Sequence, residues 1–241
     1  MSVTLTEFKK ALSFLSNTPF HPQWLIYGAR DKYLKQLSFA LQGKILDIGC
    51  ANKSAKLMLD HDVQYVGLDY ATALTLYKTR PDIFGSAEKL PIADNSVNVV
   101  LLLDVLEHVK DPFKAISEIS RVLVEGGRLV INVPFIYPLH DFPYDYQRFT
   151  LSGLRNLLEI NGLKIEQECP LGNALETSGL LFNLALCNTA VTSLEKRHPG
   201  CFIIILLPIL VPVINILSYF AGILFKSDHF MPYRYHLLAV K

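Results

Sequence analysis

Gly49 and Asp69, twenty positions apart, have the types and spacing of a nucleoside pocket. Each closes a short apolar run, Lys44-Ile45-Leu46-Asp47-Ile48-Gly49 and Val63-Gln64-Tyr65-Val66-Gly67-Leu68-Asp69. A residue without Cβ at a strand end lets the backbone approach a ligand closely. A carboxylate ending the next strand can accept both hydroxyls of a ribose. A second reactive set lies in Pro134–Thr150, where His140, Asp141, Tyr144, Asp145 and Arg148 stand among aromatics and prolines. An imidazole beside carboxylates suits general-base work, with Asp145 or Asp141 orienting His140. The plainer reading is that Asp145 and Arg148 pair to hold the loop and Thr150 caps the following helix. A third set is Asp104, Glu107 and His108, whose spacing puts them on one side of a helical turn. Two carboxylates and an imidazole are a donor set for a divalent ion, although such spacing is also common without metal.

These residues need elements that bring them to one edge. Val97–Leu103 is a nearly unbroken apolar run, as expected for a strand covered on both faces. Gly127–Val133 reads as another strand. Between them Asp111-Pro112 starts a helix whose apolar face is Phe113, Ile116, Ile119, Val122 and Leu123, and Gly126-Gly127 is expected to stop it. Leu151–Leu158 predicts a further helix, Leu163–Cys169 a strand and Tyr233–Val240 a closing strand. Strands alternating with helices imply an α/β Rossmann-like, doubly wound sheet, mostly parallel with an antiparallel last strand. Helices would cover both faces. The expected divisions are a helical cap over 1–43, a core over 44–170, an apolar helical insertion over 171–232 and the closing strand at 233–241. Two amphipathic stretches are expected in the cap, one carried by Phe8, Leu12, Phe14 and Leu15, the other by Trp24–Leu37.

The motifs resemble, in ordered succession, those of class I S-adenosylmethionine-dependent methyltransferases. Asp47-Ile48-Gly49-Cys50 is similar to the first motif and Gly67-Leu68-Asp69 to the second. Ala87-Glu88-Lys89-Leu90-Pro91 resembles the segment packed on the adenine. Asp104–Val109 with Asp111-Pro112 resembles the motif after the fourth strand, and Glu118–Leu123 with Gly126-Gly127 the helix and turn that follow. The group is the small-molecule type 11 methyltransferases, similar to quinone-pathway and surface-glycan-cluster enzymes. The resemblance runs from about Lys44 to Pro134. It implies S-adenosylmethionine as cofactor, with Asp47 orienting its amino-acid end and Gly49, Cys50 and Ala51 lining it. It further implies that Asp69 and the adjoining Tyr70 meet the ribose side, Ala87 and Glu88 flank the adenine, and Leu103 offers its carbonyl. The family usually has glycines where this chain has Ala51 and Lys53, an acid at Ser86 and an aspartate at Asn98. The dinucleotide pattern G-x-G-x-x-G is absent, which argues against NAD. The alternative to an enzyme is a binding or scaffold protein on a degenerate methyltransferase fold.

Composition bounds the partners. The formal net charge of +1 gives no basic field for nucleic acid. Four scattered cysteines fit a reducing compartment and form no C-x-x-C pair. From Cys201 to Phe225 there is no charged residue. The length permits a bilayer span, but a single crossing would strand the closing strand on the wrong side, and Pro208 and Pro212 interrupt a helix. The expectation is a bent or re-entrant helical pair at a membrane interface, flanked by Lys196, Arg197 and Lys226, or else a buried lid or homodimer surface. The protein is thus expected to be cytoplasmic, peripheral on the membrane, and to act on a small or lipid-linked acceptor.

Overall fold

The computed structural model describes residues 13–37, 41–59, 62–72, 74, 79–225 and 230–241. Phe8 and Leu12 of the first expected helix, and Lys226 of the apolar run's flank, lie outside them. The chain divides into two compact units, Asp31–Pro170 with Arg234–Lys241, and Met1–Arg30 with Leu171–Tyr233. The expected cap over 1–43 is therefore shared between the two.

The first unit is built on a seven-stranded sheet. Its strands are β1 (Lys44–Ile48), β2 (Gln64–Asp69), β3 (Ile83–Phe84), β4 (Val97–Leu103), β5 (Leu123–Pro134), β6 (Lys164–Leu171) and β7 (Arg234–Val240). The order is β3-β2-β1-β4-β5-β7-β6. β1 pairs in parallel with both β2 and β4, while β7 runs antiparallel to β5 from Arg128↔Val240 to Pro134↔Arg234. The chain winds outward in opposite directions from β1 and β4, so the crevice between their carboxyl ends is the ligand position for such a sheet. The expected mostly parallel, doubly wound sheet with an antiparallel last strand is present.

Burial explains the strand patterns. Leu101 and Leu102 of β4, and Leu129, Val130 and Ile131 of β5, are fully buried because both faces are covered. One core joins Leu46, Val100 and Ile131 to Ile116 and Ile119 of α2 (Pro112–Val122) and Leu154 and Leu158 of α3 (Leu151–Glu159). The other face carries Tyr33, Leu34 and Leu37, from the latter part of α1 (Trp24–Leu37), against Ile45, Val99 and Val130. Asp111 caps α2 by accepting from the Lys114 amide at 3.0 Å, and Thr150 caps α3 by accepting from the Gly153 amide at 3.1 Å.

One boundary differs from expectation. α2 ends at Val122, before Gly126-Gly127, and β5 begins at once with Leu123 paired to Val97. The Ser96 amide already takes the Val122 carbonyl at 2.8 Å, so sheet pairing ends the helix before the glycines can. Gly127 lies within β5 and allows a close approach there, since a Cβ on it would stand 2.7 Å from the Val124 carbonyl.

The second unit is dominated by α4 (Ala174–Glu195) and α5 (Ile203–Phe225). Asn173 caps α4 in a reciprocal box with Glu176. The uncharged run is one helix with Pro208 and Pro212 inside it, not a broken pair. Its partner is α4. Contacts between Gly179 and Ser218, between Asn183 and Asn215, and among Cys187, Leu207 and Val211 show that the two run antiparallel. That hairpin returns the chain to the side it left, which removes the topological objection raised by a lone span.

Candidate functional site

A nucleoside pocket can be assembled at the end of β1 from a backbone turn and one carboxylate. Gly49 has φ +72°, and a Cβ on it would lie 2.3 Å from Val105 Cγ2. Its amide and that of Cys50 both donate to the Leu68 carbonyl, at 2.8 and 3.2 Å, which ties the turn to the end of β2. Asp69 is then held from two sides. Its Oδ2 accepts from the Ala51 amide at 2.8 Å and its Oδ1 from the Tyr70 amide at 2.7 Å. Each carboxylate oxygen has two lone pairs, so one on each remains for a pair of adjacent hydroxyls.

Asp47 is buried and accepts from the Tyr65 hydroxyl. Cys50 is buried too, and burial, then the charges of Asp47 and Asp69, push its thiol up to about 12, so it is an inert wall. Tyr70 is half exposed, with its hydroxyl 3.2 Å from Ser86 Oγ, which in turn accepts from the Glu88 amide. Ala87 is buried. The Glu88 carboxylate is turned away toward α2, accepting from the Asp111 amide at 3.0 Å. Leu103 ends β4, and the next residue, Asp104, swings to φ +57° with its amide on the Asn132 carbonyl.

The departures noted in the sequence have a visible consequence. Ala51 (φ +44°) and Lys53 (φ +58°) both occupy the left-handed region where a Cβ is unfavourable. Lys53 is retained there by an ion pair with Asp82 at 2.7 Å, and Asp82 also accepts from the Gly67 amide. Asn98 fills its position by accepting from the Lys44 amide at 2.9 Å.

Beside this edge lies a cluster of titratable groups. Val105 leads into a 3-10 turn, Leu106–His108, and the loop after β5 is fastened onto it. The Tyr146 amide donates to the Glu107 carbonyl (3.0 Å), Gln147 Nε2 to the Val109 carbonyl (2.8 Å), and the His108 ring meets the Tyr144 carbonyl (3.0 Å). These bonds bring His140 to His108, with ring centroids 4.9 Å apart, edge to face. His140 Nδ1 lies 3.2 Å from Asp145 Oδ2, while the His140 amide donates to that same oxygen at 2.9 Å. Arg148 grips Asp145 with both terminal nitrogens. The Asp145–Arg148 pair and the orienting of His140 are thus one arrangement. Nε2 of His140 makes no hydrogen bond among the described residues and faces Glu107 Oε1 at 3.9 Å.

Electrostatics follow from burial. Desolvation lowers the His140 pKa, Asp145 opposing it, so the imidazole is neutral near pH 7. Burial alone would raise Asp145, but the bonds from Arg148 and the His140 amide overcome it and bring the carboxyl down to about 2. Glu107 is fully buried, and among the described residues neither of its carboxylate oxygens has a hydrogen-bond partner. Burial first, then the Asp104 charge, drives its carboxyl far above the usual carboxylate range.

Of the trio Asp104, Glu107 and His108, only the last two converge. The turn is 3-10 and Asp104 precedes it in a left-handed conformation, so its carboxylate points to Arg234 Nη2 at 3.3 Å. The cluster with donor atoms within 4.8 Å of one another is Glu107, His108 and His140. Asp141 stands at its exposed rim, 3.9 Å from His108. Tyr144 contributes its carbonyl; its ring is mostly in solvent. Tyr137, edge-on to His140 at 5.3 Å, and Arg234 were not picked from the sequence. Tyr137 sits in the same aromatic loop, but nothing in the sequence places the start of β7 beside Asp104.

Residues 46–131 match the family model described as "Methyltransferase domain". A Mycolicibacterium smegmatis protein named "Probable S-adenosylmethionine-dependent methyltransferase" is 30% identical over 171 residues, covering 66% of this chain and 61% of that protein. Residues 46–131 form a methyltransferase domain of the class I S-adenosylmethionine-dependent type. The cofactor of that family is S-adenosylmethionine, and the doubly held Asp69 beside Gly49 fits its ribose. Among quinone-pathway relatives, a demethylmenaquinone methyltransferase of Renibacterium salmoninarum is 34% identical over 122 residues, 47% of this chain and 52% of that one. The chain spans about half to three fifths of the length of these curated relatives. The methyltransferase fold is also that of an S-adenosylmethionine-dependent methyltransferase from Mesorhizobium loti, at TM-score 0.54 and 16% identity, covering 90% of this chain and 100% of that one. The cyclase SpnF has the same score at 18% identity, covering 88% of this chain and 80% of that one, so the fold by itself does not give the reaction.

Proposed function

We propose that this methyltransferase domain transfers a methyl group from S-adenosylmethionine to the oxygen of a small or lipid-linked acceptor, with His140 taking the acceptor's proton. When bound, the cofactor supplies a methyl group already activated by its sulfonium. The rest falls to the chain: to align the acceptor oxygen, exclude water and remove a proton. In this reading Asp47, Gly49, Cys50 and Ala51 line the amino-acid end, Asp69 and Tyr70 hold the ribose side, Ala87 and Glu88 border the adenine, and the Leu103 carbonyl faces the ligand. The Glu88 carboxylate braces α2, so its contribution is its backbone.

The observation that carries the proposal is the two-sided setting of His140. Asp145, itself clamped by Arg148, engages Nδ1, and Nε2 is left free toward buried Glu107. A neutral imidazole with one nitrogen engaged and the other open is the form a base requires. In this reading Tyr144, exposed on the same loop, meets the acceptor. The test is transfer of labelled methyl from S-adenosylmethionine into aqueous and solvent-extracted fractions of a bacterial lysate. Incorporation that wild type supports and His140→Ala does not, with S-adenosylhomocysteine affinity intact, is the expected result; equal incorporation removes His140 from the chemistry.

The second reading, a binding or scaffold protein on this fold, is favoured by the left-handed Ala51 and Lys53 in the cofactor turn. Calorimetry separates the two, since a chain that takes up neither S-adenosylmethionine nor S-adenosylhomocysteine is not the enzyme.

A further inference from the structure

α5 runs 23 residues, about 34 Å at 1.5 Å per residue, without a charge. Its mean hydropathy reaches 2.7, yet only 22% of that window is buried. The exposed residues are not scattered. Ile205, Ile209, Val213, Leu217, Phe220 and Leu224 follow one another at intervals of three or four and form a continuous outward stripe. The polar side chains of the helix avoid that stripe. Asn215 is fully buried and donates to the carbonyls of Pro19 and His21 at 2.6 and 2.9 Å, and accepts from Asn183 at 3.0 Å. Ser218 packs against Gly179. The Tyr219 ring meets Trp24 at a tilt, ring centroids 5.5 Å apart.

We infer that α5 is an in-plane membrane helix, its stripe sunk into the acyl–headgroup boundary of one leaflet, with Lys196 and Arg197 at the α4–α5 turn meeting anionic headgroups. The inference deepens the lipid-linked half of the proposed function by naming the surface on which such an acceptor is met. Three observations select this occupant. A protein partner's contact surface normally brings a polar rim and a hydrogen bond per 100–200 Å², and this stripe offers none over its full length; lipid requires none. Exposed Lys196 and Arg197 at one end supply the charge complement of an anionic leaflet. Crossing the bilayer is excluded by Asn215. It lies near the midpoint of α5 and carries the irregular backbone of Pro19–His21, whose Phe20 is exposed; a spanning helix would hold that segment at the hydrocarbon centre, where lipid-exposed irregular backbone does not occur.

Flotation of the full chain with phosphatidylcholine vesicles, with and without phosphatidylglycerol, tests this and needs no cofactor, so its failure leaves the methyl-transfer proposal standing. Wild type is expected to float, best with the anionic lipid. Ile209→Glu/Leu217→Glu should stay at the bottom while still binding S-adenosylhomocysteine, because both positions are exposed. Lys196→Gln/Arg197→Gln should weaken binding to anionic vesicles roughly 20- to 30-fold, at about 1 kcal/mol per cation, and leave neutral vesicles unaffected. Quenching of Trp24, the only tryptophan, in the wild-type protein reads depth without any variant. Bromines near the headgroup should quench it most. Strongest quenching from the bilayer centre would overturn the in-plane placement. Wild type that does not float, or a wild-type dimer that the Glu pair converts to monomer without vesicle binding, would overturn the membrane assignment; the latter would give the stripe to a second copy.

Discussion

The cofactor edge and the α4–α5 hairpin use polar groups in opposite ways. At the edge, backbone amides of Ala51 and Tyr70 fix Asp69, one to each carboxylate oxygen, so that each oxygen has a further lone pair to offer. In the hairpin, the amide groups of Asn183 and Asn215 are turned inward, toward the Val211 carbonyl, each other and the carbonyls of Pro19 and His21, so that the outward stripe of α5 is left apolar. In the proposed function, the first arrangement recognises a molecule by directed bonds. The second turns its polar groups inward, as a surface facing a medium without donors must. The His140 cluster, in the same unit as the cofactor edge, differs from both: it is polar, part-buried around a fully buried Glu107 and only partly satisfied, and such a cluster is where chemistry is to be sought.

That contrast can be broken at either end. The largest effect is expected from His140→Ala, which should lower turnover about 10²- to 10⁴-fold and leave S-adenosylhomocysteine affinity within about twofold by calorimetry. The pH profile sharpens the same point. Because burial lowers the His140 pKa, the neutral form is present at pH 7 and is lost as pH falls through a value below the ordinary 6.5, so kcat should show an acid limb there. The stability contributed by the neutral ring is likewise present above the unfolded value and lost as pH falls through the folded one. His140→Gln should abolish that limb.

Gly49→Val comes next. It adds a Cβ 2.3 Å from Val105 at φ +72°, and should cost about 2–4 kcal/mol of cofactor affinity or local stability, read by calorimetry and thermal melting. Asn215→Ala should instead leave cofactor affinity unchanged and lower folding stability by about 1–3 kcal/mol, since it removes the donor to the Pro19 carbonyl and leaves the His21 carbonyl only the Trp24 amide and the Asn183 amide only the Val211 carbonyl. Loss of cofactor binding in that variant would mean that the two regions are coupled. The smallest effect is a gain: Ala51→Gly relieves a left-handed Cβ and should stabilise the protein by roughly 1 kcal/mol.

Much of this was readable along the chain. The apolar runs ending in Gly49 and Asp69, the Asp111-Pro112 start of α2 and the Thr150 cap are local signals, set by residues a few positions apart. The end of α2 was not, because the pairing of Leu123 with Val97 competes with the glycines and is set across the sheet. The same holds for the reactive groups. His140 and Glu107 could each be named from type and motif, but their approach depends on Gln147 and Tyr146 binding the 106–109 turn from the far side of β5. Asp104, grouped with them by spacing, was removed by one backbone torsion and by Arg234 arriving on the last strand.

The amino-acid sequence by itself determined the alternating sheet, the order of the cofactor motifs and the uncharged stretch from Cys201 to Phe225, because periodicity and residue type act over short separations. Only the tertiary structure decided which acid and which histidine meet, and whether that stretch was two helices or one. Both depend on contacts between distant segments, His140 with Glu107 and Asn215 with Pro19, whose energy is realised only when the chain has folded.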